Sequence, residues 1–409
     1  MNFLFIHDNY PAQFRHLAPL IANTGKHRVV FLTNREDAEK DSIAGVEIQR
    51  YELHRRPSAE THHYLQITED AVLKGQAVLR ALNTLLEQGF QPQIIVTHAG
   101  MGLGLFIKDL LPEAIHVGYF EWFFQPNTTK HLLEKFDLDA QLKIGLRNLP
   151  IIQELERCDL AVVPTAWQKT QFPYAYQPKL EVIFDGIDRS FFHPEASCSA
   201  DQRKALTLHN RESGERFEIA ASQRILSYAT RGMEPLRGFP EFMRALPPLI
   251  ERFNDLLVVI AGADRRAYSY NAPSHQGSWK QHLLAELGEK LPNDRLLFTG
   301  LLTYQDYRSL LWRSDLHCYL TRPYVTSWSL FEAAACGARL AVNHSPATQD
   351  IMKPDAVTWV TLEDDQRLTR ELGDALEHPG ERSILQADFD LSTSLEKWEQ
   401  LLNRSLQSS

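Results

Sequence analysis

Cysteine is scarce here: 409 residues carry four, Cys158, Cys198, Cys318 and Cys336, with no CxxC pairing among them. That leaves no thiol motif to read, and Cys158, Cys318 and Cys336 sit in or beside apolar runs, where buried free thiols are expected. Long hydrophobic runs are also missing. No stretch approaches the roughly 20 apolar residues that a membrane-crossing helix needs. Positive charge is not in excess either, since 43 Lys and Arg stand against 52 Asp and Glu for a net −9. Such a balance argues against nucleic acid as a partner and still allows a local basic pocket for a small anion. The opening residues MNFLFIHDNY look like a strand, without the basic segment or small-residue cleavage site of a signal peptide, so a cytoplasmic location is expected.

What the chain does have is rhythm. Short apolar runs alternate with amphipathic helical stretches, the βαβ pattern of parallel sheets covered by helices. A first series predicts strands near 2–6, 28–32, 46–51, 93–96, 114–118, 159–163 and 180–183, with the clearest helix from Glu60 to Gln88. Residues 185–222 are polar, contain proline and lose the aliphatic periodicity, as a linker does. The second series resumes at Arg224, with strands near 224–229, 256–261, 295–298, 316–320, 338–342 and 357–360 and helices beginning near 238, 278, 303, 328 and 364. The expected fold is α/β, with two doubly wound, Rossmann-like domains: 1–195, a linker over 196–222, 223–390, and a final helix over 391–409. Leu395, Trp398 and Leu402 fall on one face of that helix. Doubly wound sheets bind ligands at the carboxyl ends of their strands, so the expected site lies where the two domains face each other.

Three strand ends of the second domain carry residues suited to a charged, hydroxylated ligand. The first, ILSYAT, leads into a loop flanked by Arg231 and Arg237. Two guanidinium groups there can clamp a diphosphate through bidentate hydrogen bonds, or can simply cap a turn in solvent. The second strand ends at Gly262 before the irregular stretch 263–278, a candidate pocket wall, and the third ends at Thr299 and Gly300. The loop after it, with Leu302, offers backbone groups to a base edge or is a plain connection. Further on, YVTSWSLFEAAACG runs from Tyr324 to Gly337 as a Ser-rich turn entering a helix. A helix start presents unpaired N–H groups and a positive dipole end. Ser327, Trp328, Ser329 and Leu330 can therefore hold a phosphate while Glu332, read as lying in the first turn, reaches hydroxyls. Ser329 and Glu332 equally spell a capping box that only closes the helix.

The segments ATRGMEPLRGFPEFMRALP, VVIAGAD, LLFTGLLTYQDYRSLLWRSDLHCYLT and SWSLFEAAACG, in that order, resemble the C-terminal domain of retaining glycosyltransferases of family 4, which have the GT-B fold. In the first half, FIHDNYPAQFRHLAPLIA, GYFEWFFQP, VVPTAWQKTQFP and FDGIDRSFFHP look like a bacterial subgroup that builds surface polysaccharides and other glycoconjugates. The resemblance implies two facing Rossmann-like domains, with the final helix crossing back to the first. It makes Arg231 and Arg237 the diphosphate clamp, with Gly262, Gly300, Leu302 and Ser327 to Leu330 around the donor, and matches Glu332 to the second acidic residue of the family's paired-glutamate motif. Tyr324 stands where the first glutamate is expected.

On the acceptor side, Asn9, Tyr10 and Gln13 follow the first strand. His98 ends IIVT before Gly100, Gly102 and Gly104, which permit close backbone approach; a lone histidine in such a place is often structural. Glu121 follows IHVGY where relatives place a catalytic-centre histidine, between Phe120 and Trp122. A carboxylate there takes up the acceptor proton or stabilises a cationic sugar, with burial raising its pKa. The family implies transfer from a nucleotide-diphosphate sugar to a hydroxyl of a glycan, a lipid-linked glycan or another acceptor, with retention. No cofactor or metal is expected, because the arginines and the helix start face the diphosphate. The triplets Asp137-Leu138-Asp139 and Asp388-Phe389-Asp390 lie among polar residues away from strand ends. Peripheral contact with the inner membrane face is compatible with the family. A noncatalytic GT-B relative, or a nucleotide-sugar epimerase or hydrolase, is the alternative.

Overall fold

The computed structural model describes residues 1–195, 203–273 and 277–408. Cys198 and the first part of the expected linker, 196–202, lie outside the described residues. The chain divides into two compact units. Unit 1 comprises Met1–Asn127, Phe136–Gly186 and Leu391–Ser409, and unit 2 comprises Thr128–Lys135 and Ile187–Asp390.

Unit 1 is built on a parallel sheet of seven strands: β1 (Asn2–His7), β2 (Arg28–Thr33), β3 (Val46–Arg50), β4 (Ile94–His98), β5 (Ile115–Tyr119), β6 (Leu160–Val163) and β7 (Leu180–Val182), in the spatial order β3-β2-β1-β4-β5-β6-β7. Each expected strand of the first series is present within a residue or two. Both faces are covered, so neighbours along a strand enter different cores. In β1, Phe3 and Phe5 pack on one face with Phe31, Val96 and Val117, while Leu4 and Ile6 pack on the other with Val30 and Ile95. The helix Gln66–Glu87 covers the second face through Ala77, Val78, Leu82 and Leu85. On the first face lies the helix Leu391–Ser408, burying Trp398, Leu401 and Leu402, with Trp398 stacked near Tyr119 at 6.5 Å.

The first strands of unit 2 form an antiparallel hairpin of β8 (Leu206–His209) and β9 (Arg216–Ile219). Its parallel sheet follows: β10 (Arg224–Ala229), β11 (Leu256–Ala261), β12 (Leu296–Gly300), β13 (Leu316–Tyr319), β14 (Leu340–Asn343) and β15 (Thr358–Val360), ordered β12-β11-β10-β13-β14-β15. The hairpin corrects the reading of 196–222 as a plain linker. Its short strands bury Leu208 and Ile219, and Leu206 and Phe217 in part, against Ile225, Val259 and Leu310, so they carry too few apolar residues to register as strands. The chain leaves unit 1 at Gly186, where a Cβ would stand 2.8 Å from Leu391 Cα, the point of return.

Candidate functional site

In a doubly wound sheet the crevice opens where the strand order reverses. In unit 2 that point lies between β10 and β13. Tyr228, Ala229 and Thr230 from the end of β10, Tyr319 and Leu320 from β13, and Arg237, Ser327 and Ser329 line a small pocket there. Arg237 ends the short turn Pro235–Arg237 and is 8% exposed. Its Nη1 donates to Thr321 Oγ1 at 2.8 Å and its Nη2 to the Val325 carbonyl at 3.3 Å, while its own carbonyl accepts from the Tyr228 hydroxyl at 2.7 Å. Arg231 is exposed, and its Nη1 donates to the Tyr268 hydroxyl at 3.1 Å. The Tyr268 ring lies 5.9 Å from each guanidinium carbon and 5.7 Å from the Tyr324 ring. The two arginines thus share one aromatic platform, a residue sequence reasoning did not single out.

The helix Trp328–Ala335 is capped by Ser327, whose side chain accepts from the Ser329 N–H. The expected box between Ser329 and Glu332 is therefore displaced, because the extended backbone of Ser327 starts the helix earlier and moves Glu332 into the second turn. There Glu332 is 4% exposed. The N–H of Ser327 donates to the Tyr319 hydroxyl at 3.1 Å and that of Leu330 to the Ser327 carbonyl at 3.2 Å. An anion here competes with contacts the chain already makes.

Gly262 and Gly300 have structural reasons of their own. At Gly262, with φ +140°, a Cβ would stand 2.0 Å from the Thr230 carbonyl oxygen, and its N–H donates to the Gly300 carbonyl at 2.8 Å. Only glycine lets these backbones cross so closely. Gly300 and Leu302 meet the hairpin instead of an open groove. Asn210 donates to the Thr299 carbonyl at 2.9 Å and bridges Leu302, and Arg211 N–H donates to the Leu301 carbonyl at 2.6 Å. The reading of this loop as free backbone for a base edge is corrected accordingly.

Unit 1 reverses between β1 and β4, and a polar chain runs across that point. His7, the last residue of β1, accepts from the Asn9 N–H at Nδ1 (2.8 Å), which leaves Nε2 to donate to Gln13 Oε1 (2.8 Å). Gln13 Nε2 donates to Glu121 Oε1 at 2.7 Å, and Glu121 Oε2 lies 3.2 Å from His98 Nε2. The His7 and His98 rings are 4.3 Å apart. Burial and the neighbouring His98 charge push the His7 pKa down to about 3, so His7 is neutral. Burial opposes a charge on His98, yet contact with Glu121 carries its pKa above the ordinary value. For Glu121 burial alone would raise the pKa, as expected from sequence, but the contact and charge of His98 lower it. The pair is ionic. The Glu121 main-chain carbonyl accepts from Gln168 Nε2 at 2.6 Å, which fixes the loop.

Of the remaining acceptor-side residues, Asn9 is exposed and its side chain accepts from the Tyr10 N–H. Tyr10 is 1% exposed and packs on Phe31 at 4.7 Å, so it belongs to the core and not to a ligand site. Trp122 is 6% exposed and packs on Trp167 at 5.2 Å. The glycine loop after His98 is also not open to a ligand. Buried Glu154, from the helix Leu149–Arg157, accepts from the N–H groups of Gly100 and Gly104, the latter at 3.0 Å. Burial raises its pKa to about 7 against those hydrogen bonds. Asp137 caps the helix Leu138–Arg147, and no His, Cys, Asp and Glu cluster fit for a metal occurs among the described residues.

Residues 25–192 match the family model described as glycosyl transferase family 4 group, and residues 243–395 match one described as glycosyl transferase-like. No curated protein matches the chain. Among solved structures, sucrose-phosphate synthase from Thermosynechococcus elongatus is similar over 100% of both chains, at 13% identity and TM-score 0.68. The catalytic domain of starch synthase IV from Arabidopsis thaliana, bound to ADP and acarbose, is similar over 99% of each chain, at 14% identity and TM-score 0.64. An E. coli structure described as trehalose-6-phosphate bound with UDP-2-fluoro glucose covers 100% of this chain and is itself covered to 96%, at 11% identity and TM-score 0.61. At these identities the likeness is one of fold.

Proposed function

This chain belongs to the glycosyltransferases of the GT-B fold, and from that premise we propose that it moves a sugar from a nucleotide-diphosphate sugar to an acceptor hydroxyl with retention of configuration. The observation that carries the reading is that buried Arg237 lines the pocket at the switch point of unit 2 with Ser327 and Ser329 from the start of the helix Trp328–Ala335, and that Arg231 shares the Tyr268 ring with it. Two of the solved neighbours hold ADP or UDP-2-fluoro glucose, which supports a nucleotide sugar as donor here.

In this mechanism the acceptor hydroxyl attacks the anomeric carbon from the face that the diphosphate leaves. The carbon–oxygen bond to phosphate breaks, the new glycosidic bond forms, and the hydroxyl proton passes to the departing diphosphate. Negative charge grows on that leaving group, so fixed cations stabilise the transition state more than the ground state. Arg237 and Arg231 supply the cations, and Glu332 accepts hydrogen bonds from donor hydroxyls. Glu121, beside His98 at the switch point of unit 1, is the group of that unit suited to orient an acceptor hydroxyl. No protein nucleophile and no metal take part.

A glycan or lipid-linked glycan of a bacterial surface polysaccharide is the proposed acceptor class. No helix among the described residues is long and apolar enough to cross a membrane, so contact with a lipid-linked acceptor is proposed as peripheral, at the cytoplasmic face. The test incubates the protein with UDP-, GDP- and ADP-sugars and EDTA, and measures nucleoside diphosphate release with and without glycan acceptors. Acceptor-dependent release supports transfer; acceptor-independent release assigns a hydrolase; binding without release assigns a noncatalytic relative.

A further inference from the structure

The turn that carries Arg237 begins at Glu234, a residue with no exposed surface. One of its carboxylate oxygens, Oε2, accepts from three successive backbone N–H groups: Ala267 at 2.9 Å, Tyr268 at 2.8 Å and Ser269 at 2.9 Å. Successive N–H groups converging on one oxygen form an anion nest, here filled by the chain's own carboxylate. A return tie runs from the Leu236 N–H to Ser269 Oγ at 2.8 Å. The arginine-bearing turn and the loop 267–269 are therefore laced together from both sides, and the residue at the centre of the lacing is Tyr268. Its hydroxyl accepts from Arg231, and its ring faces both guanidinium groups.

A buried carboxylate costs free energy unless fully hydrogen-bonded, and among the described residues Glu234 Oε1 has no partner. A neutral acceptor could tie a loop more cheaply. What the carboxylate adds is strength, because hydrogen bonds to an ionised acceptor are about twice as strong as neutral ones. Arg231 is exposed and its long side chain has no other hydrogen bond described, so without the tyrosine it samples many rotamers.

We propose that Glu234 is a positioning residue that sets affinity for the donor diphosphate by fixing Tyr268 as the shared platform of Arg231 and Arg237. This rests on the reading of the two arginines as the diphosphate site. Glu234 touches no reacting atom; it acts through Tyr268.

The experiment is a double-mutant cycle on Glu234→Ala and Tyr268→Ala, with Glu234→Gln as the conservative variant should Glu234→Ala fail to fold. The readouts are Kd for UDP, GDP and ADP by titration calorimetry and, for the sugar donor turned over, KM and kcat separately. Glu234→Ala and Tyr268→Ala are each expected to weaken the bound diphosphate about tenfold, with kcat changed less than about threefold, and the double variant to lose no more than either single one, since coupled residues are non-additive. Glu234→Gln keeps an acceptor oxygen for the three N–H groups without the charge and is expected to weaken binding by an intermediate amount, roughly threefold. A merely structural role would lower Tm and leave KM of the folded protein unchanged. Additive losses, or full affinity in Glu234→Ala or Tyr268→Ala, would overturn the proposal while leaving the donor reading in place. If the wild-type chain bound none of the three nucleotides and released none, the donor reading and this proposal would fall together.

Discussion

Removing Arg237 and removing Arg231 should have unequal consequences, because the two cations differ in burial. Arg237 is 8% exposed and anchored by Thr321 and Val325, whereas Arg231 is exposed and anchored only on the Tyr268 hydroxyl among the described contacts. Two unit charges about 4 Å apart attract by roughly 4 kcal/mol at an effective dielectric of about 20, and by about 1 kcal/mol in water. Loss of a preorganised donor to developing charge costs about 2.7–4 kcal/mol, or roughly 10²–10³ in rate. Arg237→Ala is therefore expected to lower kcat/KM by roughly 10²–10³, and Arg231→Ala by roughly fivefold to tenfold. Arg237→Lys keeps charge without the planar fork and should fall between them. The assay is nucleoside diphosphate release under subsaturating donor, with circular dichroism and Tm confirming that each variant folds. Equal losses, or a larger loss at Arg231, would refute the argument from burial.

Four further perturbations test the framework around the site. Glu154→Gln keeps one acceptor oxygen, sets its amide NH2 against the other of the Gly100 and Gly104 N–H groups, and cannot ionise. Because the folded pKa of Glu154 is raised from 4.5 to about 7, the wild-type fold loses stability as pH climbs through that window, by about 3 kcal/mol at about 1.4 kcal/mol per unit. In urea melts the stability of the variant relative to the wild type should rise by about 3 kcal/mol between pH 4.5 and 7; a pH-independent difference would contradict this. His7 works in the opposite sense: its pKa is lowered to about 3, so its contribution is present above 6.5 and lost as pH falls towards 3. Trp398→Ala should cost about 3–5 kcal/mol in denaturant unfolding of unit 1, since the ring is buried against Tyr119. Gly262→Ala should lower Tm and abolish nucleotide binding together, because its Cβ would stand 2.0 Å from the Thr230 carbonyl; an unchanged melt would refute it.

The strands were legible because a parallel sheet covered on both faces demands continuous apolar runs, and each such run in the two series became a strand. The hairpin was not, since strands such as Arg216–Ile219 gain their burial from Leu310 and Val259, distant in sequence. That Arg231 and Arg237 lie near one another could be read, because they flank one loop after a strand, and both do face the Tyr268 ring. Tyr268 and Glu234 could not. Their roles depend on a loop folding back on a turn more than thirty residues earlier, which no local spacing reveals. His7 did carry a signal: it ends β1 as His98 ends β4, and the strand order that makes them neighbours is invisible in sequence. The glycines after His98 misled in an instructive way. They do free backbone N–H groups for an acceptor, but the acceptor is the carboxyl group of Glu154, fifty or more residues on.

The central claim is transfer with retention from a nucleotide sugar held at Arg237. Time-resolved proton NMR of the anomeric signals, recorded with the wild-type protein, a nucleotide sugar that it turns over and its glycan acceptor, tests that claim most directly. The account predicts a product with the donor's anomeric configuration, formed in step with nucleoside diphosphate and lost in Arg237→Ala. An inverted product, or equal turnover by Arg237→Ala, would contradict it.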